Sequence, residues 1–416
     1  MRLLVYGHFS HTGFGVVTDN LARRFLAAGV DVRVIAVNHR GEPVDGPLAG
    51  RVWPANMFGH SHGGNFSSAA IDGSFWRRFG SDWKPDAVLV VADMSGLMAH
   101  IGANVIPTAW TSVPVYHYCP IEGDNLPLGW RAIWSHIRPV SMSRYGERII
   151  SEHIGRPVPM VYHGVETDVF RPVSAANPIA WNGKILRSRE DCKAAFGWDR
   201  NRKIILRTDR NVVRKFYYRM FEALPAILAA DPDVDMAIHC NPIEQMDTQP
   251  LVEEIGRLPA ECISRIKLTQ AHDTFRGLPT EGLVALMNAA DLYWSTTGGE
   301  GFGLTLAESL ACGVPVVTSG WAAEIEVVGD GGVIVPPLHD SRGEPVRYHS
   351  TYGMDWALPD AQAFVPVITQ LLGRPARRRS MGAVGRIHVA RSFSWDVAAA
   401  SFLSLFEDRD ALDLAG

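Results

Sequence analysis

A chain of 416 residues, 47% apolar and 20% charged, is long enough for two buried cores rather than one. Its formal net charge of −4, without any long basic run, argues against a nucleic-acid footprint, and no stretch approaches the roughly 18 uncharged apolar residues that span a bilayer. The scattered cysteines Cys119, Cys192, Cys240, Cys262 and Cys312 lack C-x-x-C spacing, which points away from a disulfide framework or zinc ribbon and towards a reducing cytoplasm.

The opening MRLLVYGHFSHTGFG reads as a first strand rather than a leader. Leu3 to Tyr6 is apolar, Gly13-Phe14-Gly15 forms a glycine turn, and Leu21, Phe25 and Leu26 recur at helical spacing. Val32 to Val37, Ala87 to Val91 and Pro114 to Tyr118 follow as strands, so the first part of the chain predicts a parallel, Rossmann-like sheet flanked by helices. Between them, residues 56–80 form a long Gly-, Ser- and His-rich loop in which His60 and His62 have metal-compatible spacing but no third ligand. Asp93, at a strand end, is expected to cap a turn. Trp53, Trp76, Trp110, Trp130 and Trp134 could stack on a sugar face or pack in the core.

The Pro- and Ala-rich stretch Arg171 to Pro178 reads as a link, after which the pattern restarts. Strands are expected at Lys203 to Leu206, Asp235 to Cys240, Ile266 to Leu268, Leu292 to Ser295 and Val314 to Thr318, with a helix over Phe216 to Ala230. Leu338 to Leu358 reads as an inserted loop or hairpin, and Phe364 to Leu372 and Trp395 to Phe406 as closing helices. The expected division is a first lobe over 1–170, a second over 171–380, and a segment over 381–416 that returns to the first.

The chemistry concentrates in Thr297-Gly-Gly-Glu300-Gly301-Phe302-Gly303-Leu304-Thr305-Leu-Ala-Glu308, followed by a helix end at Gly313 and Pro315. Glycines around Glu300 and Phe302 let backbone approach a ligand, and open amides at the helix start favour an anion such as a diphosphate. Two glutamates at this spacing are by themselves equally the mark of one solvated and one capping side chain.

With G-E-G-F-G-L before and A-C-G-V-P-V-V after, the segment resembles the retaining family 4 glycosyltransferases of the GT-B fold. The resemblance runs over most of the chain: Thr12-Gly13-Phe14-Gly15 is similar to the family's first-lobe glycine loop. His163-Gly164-Val165-Glu166 through Phe170 partly follows its linker pattern, Arg210 and Lys215 match its paired cations, and Phe393-Ser394-Trp395 its closing segment. It implies an α/β fold of two Rossmann-like lobes facing each other across a cleft, with a nucleotide diphosphate sugar, such as a UDP- or GDP-sugar, held mainly by the second lobe (171–380) and the first (1–170) serving as the acceptor lobe.

Carried over position by position, Glu300 would contact the transferred sugar and Glu308 the ribose. Arg210 and Lys215 would hold the diphosphate, with the backbone around Gly301, Phe302, Gly303, Leu304 and Thr305 and the Gly13, Phe14, Gly15 loop assisting. No metal and no further cofactor is implied. Tyr118-Cys119-Pro120-Ile121-Glu122-Gly123 resembles an aromatic-x-Pro-x-Asp-Gly pattern but carries Glu122 where aspartate is expected. His117 reads either as an acceptor-side histidine or as a hydrogen-bonded core residue.

The expected activity is hexosyl transfer to a saccharide or glycolipid hydroxyl. Hydroxymethylated bases of DNA are the alternative acceptor, and a nucleotide-sugar epimerase or a non-catalytic nucleotide-sugar binding protein the alternatives of other classes. A dinucleotide dehydrogenase is disfavoured because Gly13-x-Gly15 lacks the third glycine.

Overall fold

The computed structural model describes residues 1–10, 12–37, 39, 43–55, 83–102, 113–243, 250–269 and 277–408. The described residues form two six-stranded sheets and two small antiparallel pairs. The first sheet holds β1 (Arg2–His8), β2 (Asp31–Val37), β3 (Val52–Ala55), β4 (Ala87–Val91), β5 (Val115–Cys119) and β6 (Arg138–Ser141) in the order β3-β2-β1-β4-β5-β6. All its pairings are parallel. The strands β4 and β5 are buried at every position, as a sheet covered on both faces requires.

After β7 (Ile179–Trp181) and β8 (Lys184–Leu186), an antiparallel pair, the second sheet repeats the same plan. It comprises β9 (Lys203–Arg207), β10 (Val234–Ile238), β11 (Ile266–Leu268), β12 (Leu292–Ser295), β13 (Val316–Ser319) and β14 (Gly332–Val335), ordered β11-β10-β9-β12-β13-β14. The stretch expected as a loop or hairpin is a hairpin of β15 (Arg347–His349) and β16 (Asp355–Ala357). In both sheets the winding direction reverses beside the first strand, between β1 and β4 and between β9 and β12, where doubly wound sheets open a crevice at their carboxyl ends.

The chain divides into two compact units. The first is Met1–Ile121, Leu126–Gly164 and Trp395–Gly416; the second is Glu122–Asn125 and Val165–Ser394. The closing helix Trp395–Glu407 is part of the first core, with the Phe402 ring 4.8 Å from Tyr118 and Phe406 4.9 Å from Tyr116. The helix before it, Pro375–Ser392, belongs to the second unit. Arg171 to Pro178 also packs in the second unit, where Asn288 bonds the backbone of both Val173 and Arg171.

Among the described residues no helix is long and apolar enough to cross a membrane. The cysteines are all buried and none forms a disulfide.

Candidate active site

The reversal point of the second sheet is built from the loops that leave β9 and β12. Arg207, at the end of β9, is fully buried and organises the first loop. Its guanidinium donates to Asp209 at 3.1 Å, to the Thr296 hydroxyl at 2.6 Å and to the Lys215 carbonyl at 2.5 Å, and lies 3.9 Å over the Tyr217 ring. These contacts pin the short 3-10 turn Val213–Lys215 to the sheet. Phe216 follows at φ 42°, a left-handed conformation a bulky residue adopts only where its surroundings enforce it. The Thr296 hydroxyl meets both the Lys215 and the Phe216 carbonyls, at 3.1 and 3.0 Å.

Held this way, Lys215 and Arg214 converge on Glu300. The Lys215 ammonium lies 2.8 Å from Asp209 Oδ1 and 2.5 Å from Glu300 Oε1. Arg214 lies 2.9 Å from Glu300 Oε2 and 2.7 Å from Glu122 Oε1, and donates to the Gly299 carbonyl. Burial opposes the charge on Asp209, yet Lys215 and Arg207 hold its carboxyl down to about 2. Burial likewise opposes ionisation of Glu300, and Arg214 and Lys215 outweigh it, lowering the pKa. Both carboxylates are therefore ionised at neutral pH.

The Glu300 loop is held from below as well. Glu324, fully buried, accepts the Glu300 amide at 3.0 Å with one oxygen and the Trp321 and Ala322 amides at 2.9 and 3.1 Å with the other. Burial pushes Glu324 up to about 7. A Cβ on Gly299 would meet the Glu122 carbonyl oxygen at 1.9 Å, so only glycine admits segment 122–125 this close to the loop.

Gly303, at φ 98°, starts the helix Leu304–Ala311, and the amides of Gly303, Leu304 and Thr305 meet no acceptor among the described residues. Such a helix start is a receptive site for an anion. Glu308, on the same helix, is 7% exposed, and its carboxyl has no hydrogen bond or ion pair among the described residues. Burial pushes its pKa up to about 8.

The expected site residues thus fall into three groups. Lys215, Glu300, Glu122 and the stretch from Gly301 to Glu308 share the second unit's reversal point. Arg210 lies on the same loop but exposed, and the arginine on Glu300 is Arg214. Gly13, Phe14 and Gly15 open the helix Gly13–Ala27 in the first unit, capped by Thr12, where a Cβ on Gly15 would strike the Ser10 carbonyl at 1.8 Å.

Of the two readings of His117, the hydrogen-bonded core residue is the one its surroundings support over the acceptor-side histidine. It is fully buried, its Nε2–H donates to the Ala92 carbonyl at 3.0 Å and its Nδ1 accepts from Trp134 Nε1 at 3.2 Å, so neither ring nitrogen is left for an acceptor. Burial lowers its pKa to about 4, keeping it a neutral core residue. Asp93 caps its turn, accepting from the Gly96 amide at 2.6 Å, and Trp130 and Trp134 are core residues. His60, His62, Trp76 and Trp110 lie outside the described residues. Among the described residues no group of three or more His, Cys, Asp or Glu could hold a metal ion.

Sequence reading missed Arg214, Asp209 and Glu324. Arg214 adjoins the matched Lys215, Asp209 lies two residues beyond β9, and Glu324 opens the short helix Glu324–Val328 after β13; only the fold brings them together.

Comparison with known proteins agrees with this architecture. Residues 211–342 match the family of glycosyl transferases group 1. A GDP-mannose-dependent monoacylated alpha-(1-6)-phosphatidylinositol monomannoside mannosyltransferase of Corynebacterium glutamicum is 26% identical over 244 residues, covering 56% of this chain and 52% of that one. A phosphatidyl-myo-inositol mannosyltransferase of Mycobacterium tuberculosis is 29% identical over 218 residues, 51% of this chain and 48% of its own. The chain spans about half the length of the curated relatives it matches. Among solved structures, sucrose-phosphate synthase from Thermosynechococcus elongatus superposes with a TM-score of 0.70 at 16% identity, covering 99% of both chains. Anabaena Alr3699/HepE in complex with UDP and glucose gives 0.67 at 14% identity, over 98% of this chain and 100% of that one.

Two parallel six-stranded Rossmann-like sheets in this likeness define a protein of the GT-B fold. Within that fold, residues 211–342 carry a glycosyl transferases group 1 domain.

Proposed function

We propose that this chain is a retaining hexosyltransferase that moves a sugar from a nucleotide diphosphate to a hydroxyl of a saccharide or glycolipid. The observation that carries this reading is Glu300 gripped by Arg214 and Lys215 beside the helix start where three amides face no acceptor among the described residues. A sugar diphosphate needs these two kinds of group together, a carboxylate for the sugar and donors for the phosphates.

In this mechanism the diphosphate lies against the helix start and Lys215, and the exposed Arg210 folds onto it. The bond between the anomeric carbon and the leaving phosphate oxygen breaks as the acceptor oxygen bonds to the same face of that carbon. The acceptor proton passes to the departing phosphate oxygen, so configuration is kept without a dedicated base. Fixed cations and amides stabilise the charge building on that phosphate without reorganising. Glu300 orients the sugar, and the buried Glu308 carboxyl takes the ribose hydroxyls. The cations supply the charge compensation, so the reaction proceeds without an added divalent ion.

The relatives' names favour GDP-mannose as donor and a phosphatidylinositol-type glycolipid as acceptor. They lend no support to modified DNA. Nucleotide release from a panel including GDP-mannose and UDP-glucose, wild type against Glu300→Gln, tests the reading. Glu300-dependent release from one donor supports it; no release and no binding across the panel overturns it.

A further inference from the structure

Glu324 is a buried carboxylate to which the transfer mechanism gives no task. It is 0% exposed and enters no ion pair among the described residues. Burial first, and the like charge of Glu300 second, push its pKa up to about 7. A carboxylate in such a place is destabilising unless hydrogen bonds replace its water. The two oxygens find those bonds in different places. One accepts the Trp321 and Ala322 amides, three and two residues back, and closes the turn that opens the helix Glu324–Val328. The other reaches across 24 residues of chain to the Glu300 amide at 3.0 Å, a bond the local turn does not need.

The same turn holds Glu300 a second time, because the Ala323 amide donates to the Glu300 carbonyl at 3.2 Å. The peptide groups on both sides of the Glu300 Cα are thus fixed by one short stretch, 321–324. The loop needs such a hold. Gly298, Gly299, Gly301 and Gly303 surround Glu300, with φ of 154° at Gly299 and 98° at Gly303, and glycines leave a loop little conformational preference of its own. Arg214 and Lys215 grip the carboxylate end of the side chain. Glu324 grips the backbone end.

We propose that Glu324 is a positioning residue for sugar transfer: by fixing the Glu300 peptide it sets where the Glu300 carboxylate stands against the transferred sugar. The role rests on the transfer reading, and Glu324 acts through Glu300 without touching substrate. The chemistry calls for a carboxylate. An ionised carboxyl accepts without donating, so it can meet three N–H groups at once. Glutamine has the same shape but one donor end. With its carbonyl on the Trp321 and Ala322 amides, its NH2 would face the Glu300 N–H, donor against donor. Glu324→Gln therefore cuts the remote bond and spares the local turn.

The test compares full-length wild type and Glu324→Gln at a pH above 7, where Glu324 is ionised. It reads hydrogen–deuterium exchange of the peptide 297–303, nucleotide release from GDP-mannose and UDP-glucose, and calorimetric binding of GDP and UDP. We expect the Glu300 amide to exchange about tenfold faster and kcat to fall about 10- to 100-fold. Donor KM and nucleotide affinity should stay within about threefold, at unchanged stoichiometry. In a Glu300→Gln background the same substitution should lower kcat by less than about threefold, since a residue that acts through Glu300 has nothing further to position. Equal exchange, or faster exchange with wild-type kcat, overturns the proposal. So does a loss that repeats in full in the Glu300→Gln background, or a variant that unfolds or binds nucleotide at reduced stoichiometry, because either makes Glu324 a residue of the fold. If the wild type cleaves no donor, the transfer reading falls and the exchange rates alone decide: faster exchange in Glu324→Gln still supports the hold on Glu300, and equal rates overturn it.

Discussion

Lys215→Met removes the cation shared by Asp209 and Glu300 while keeping much of its volume. Lys215 is 8% exposed, and its ammonium lies 2.8 and 2.5 Å from the two carboxylates. Without it Asp209 retains Arg207, Glu300 retains Arg214, and two ionised groups remain buried with one cation fewer. Removing one partner from a buried pair costs about 3–5 kcal/mol. The loss should speed exchange of the β9 and β12 amides by roughly two to four orders of magnitude, read by hydrogen–deuterium exchange of peptides covering those strands.

The pH dependence carries the sign. Asp209, held at about 2, and Glu300, also lowered, contribute stability that is present above ordinary carboxylate pKa values and lost as pH falls through their folded values. In Lys215→Met both pKa values rise. The deficit against wild type is therefore largest at neutral pH and shrinks below about pH 4. Unchanged protection at neutral pH, or a deficit that widens on acidification, would refute the reasoning.

Glu300→Gln keeps the shape of the loop and removes the charge, so turnover of the donor should fall by roughly 10²–10³ while nucleotide diphosphate binding changes little, as calorimetry and nucleotide release together will show. Glu308 is buried with its pKa up at about 8, so ionising it opposes folding increasingly as pH rises from the ordinary glutamate range to that value. Glu308→Gln should be the more stable protein by a few kcal/mol, on the order expected from such a shift, above about pH 8, with the gap closing in acid. Denaturation at several pH values checks this, and a gap that widens in acid contradicts it.

Much of this fold was legible because parallel strands covered on both faces appear as apolar runs. AVLVV in β4 and LYWS in β12 need no tertiary information to be found. The strands that escaped notice are short and lie at the ends of their sheet, and β3 (VWPA) and β6 (RPVS) each contain a proline. Proline withholds a ladder donor and is tolerated at such positions, so it hides them from pattern reading. The glutamate loop announced itself through glycine spacing. Asp209 and Glu324 did not, because each is an ordinary acidic residue in sequence, and only the juxtaposition of the loops after β9, β12 and β13 makes it a neighbour of Glu300. His117 misled for a related reason: a histidine near a strand's carboxyl end is suggestive until burial and a tryptophan donor are seen to satisfy it.

The two arginines of the loop after β9 separate binding from architecture, and a paired substitution tests the division. Arg214, its side chain 14% exposed, bridges Glu122 and the buried Glu300, so Arg214→Met leaves two carboxylates short of a partner and should cost up to about 3–5 kcal/mol as well as activity. Arg210 is exposed on the same loop, and single exposed pairs contribute only about 0–1 kcal/mol. Arg210→Met should therefore leave stability close to wild type while weakening the diphosphate grip, lowering donor turnover by about 10²-fold or more. Thermal unfolding and nucleotide release measured on both variants give the answer. If Arg210→Met turns over its donor normally, the diphosphate is held by Lys215 and the helix start alone, and the role that the resemblance assigns to Arg210 is wrong for this chain.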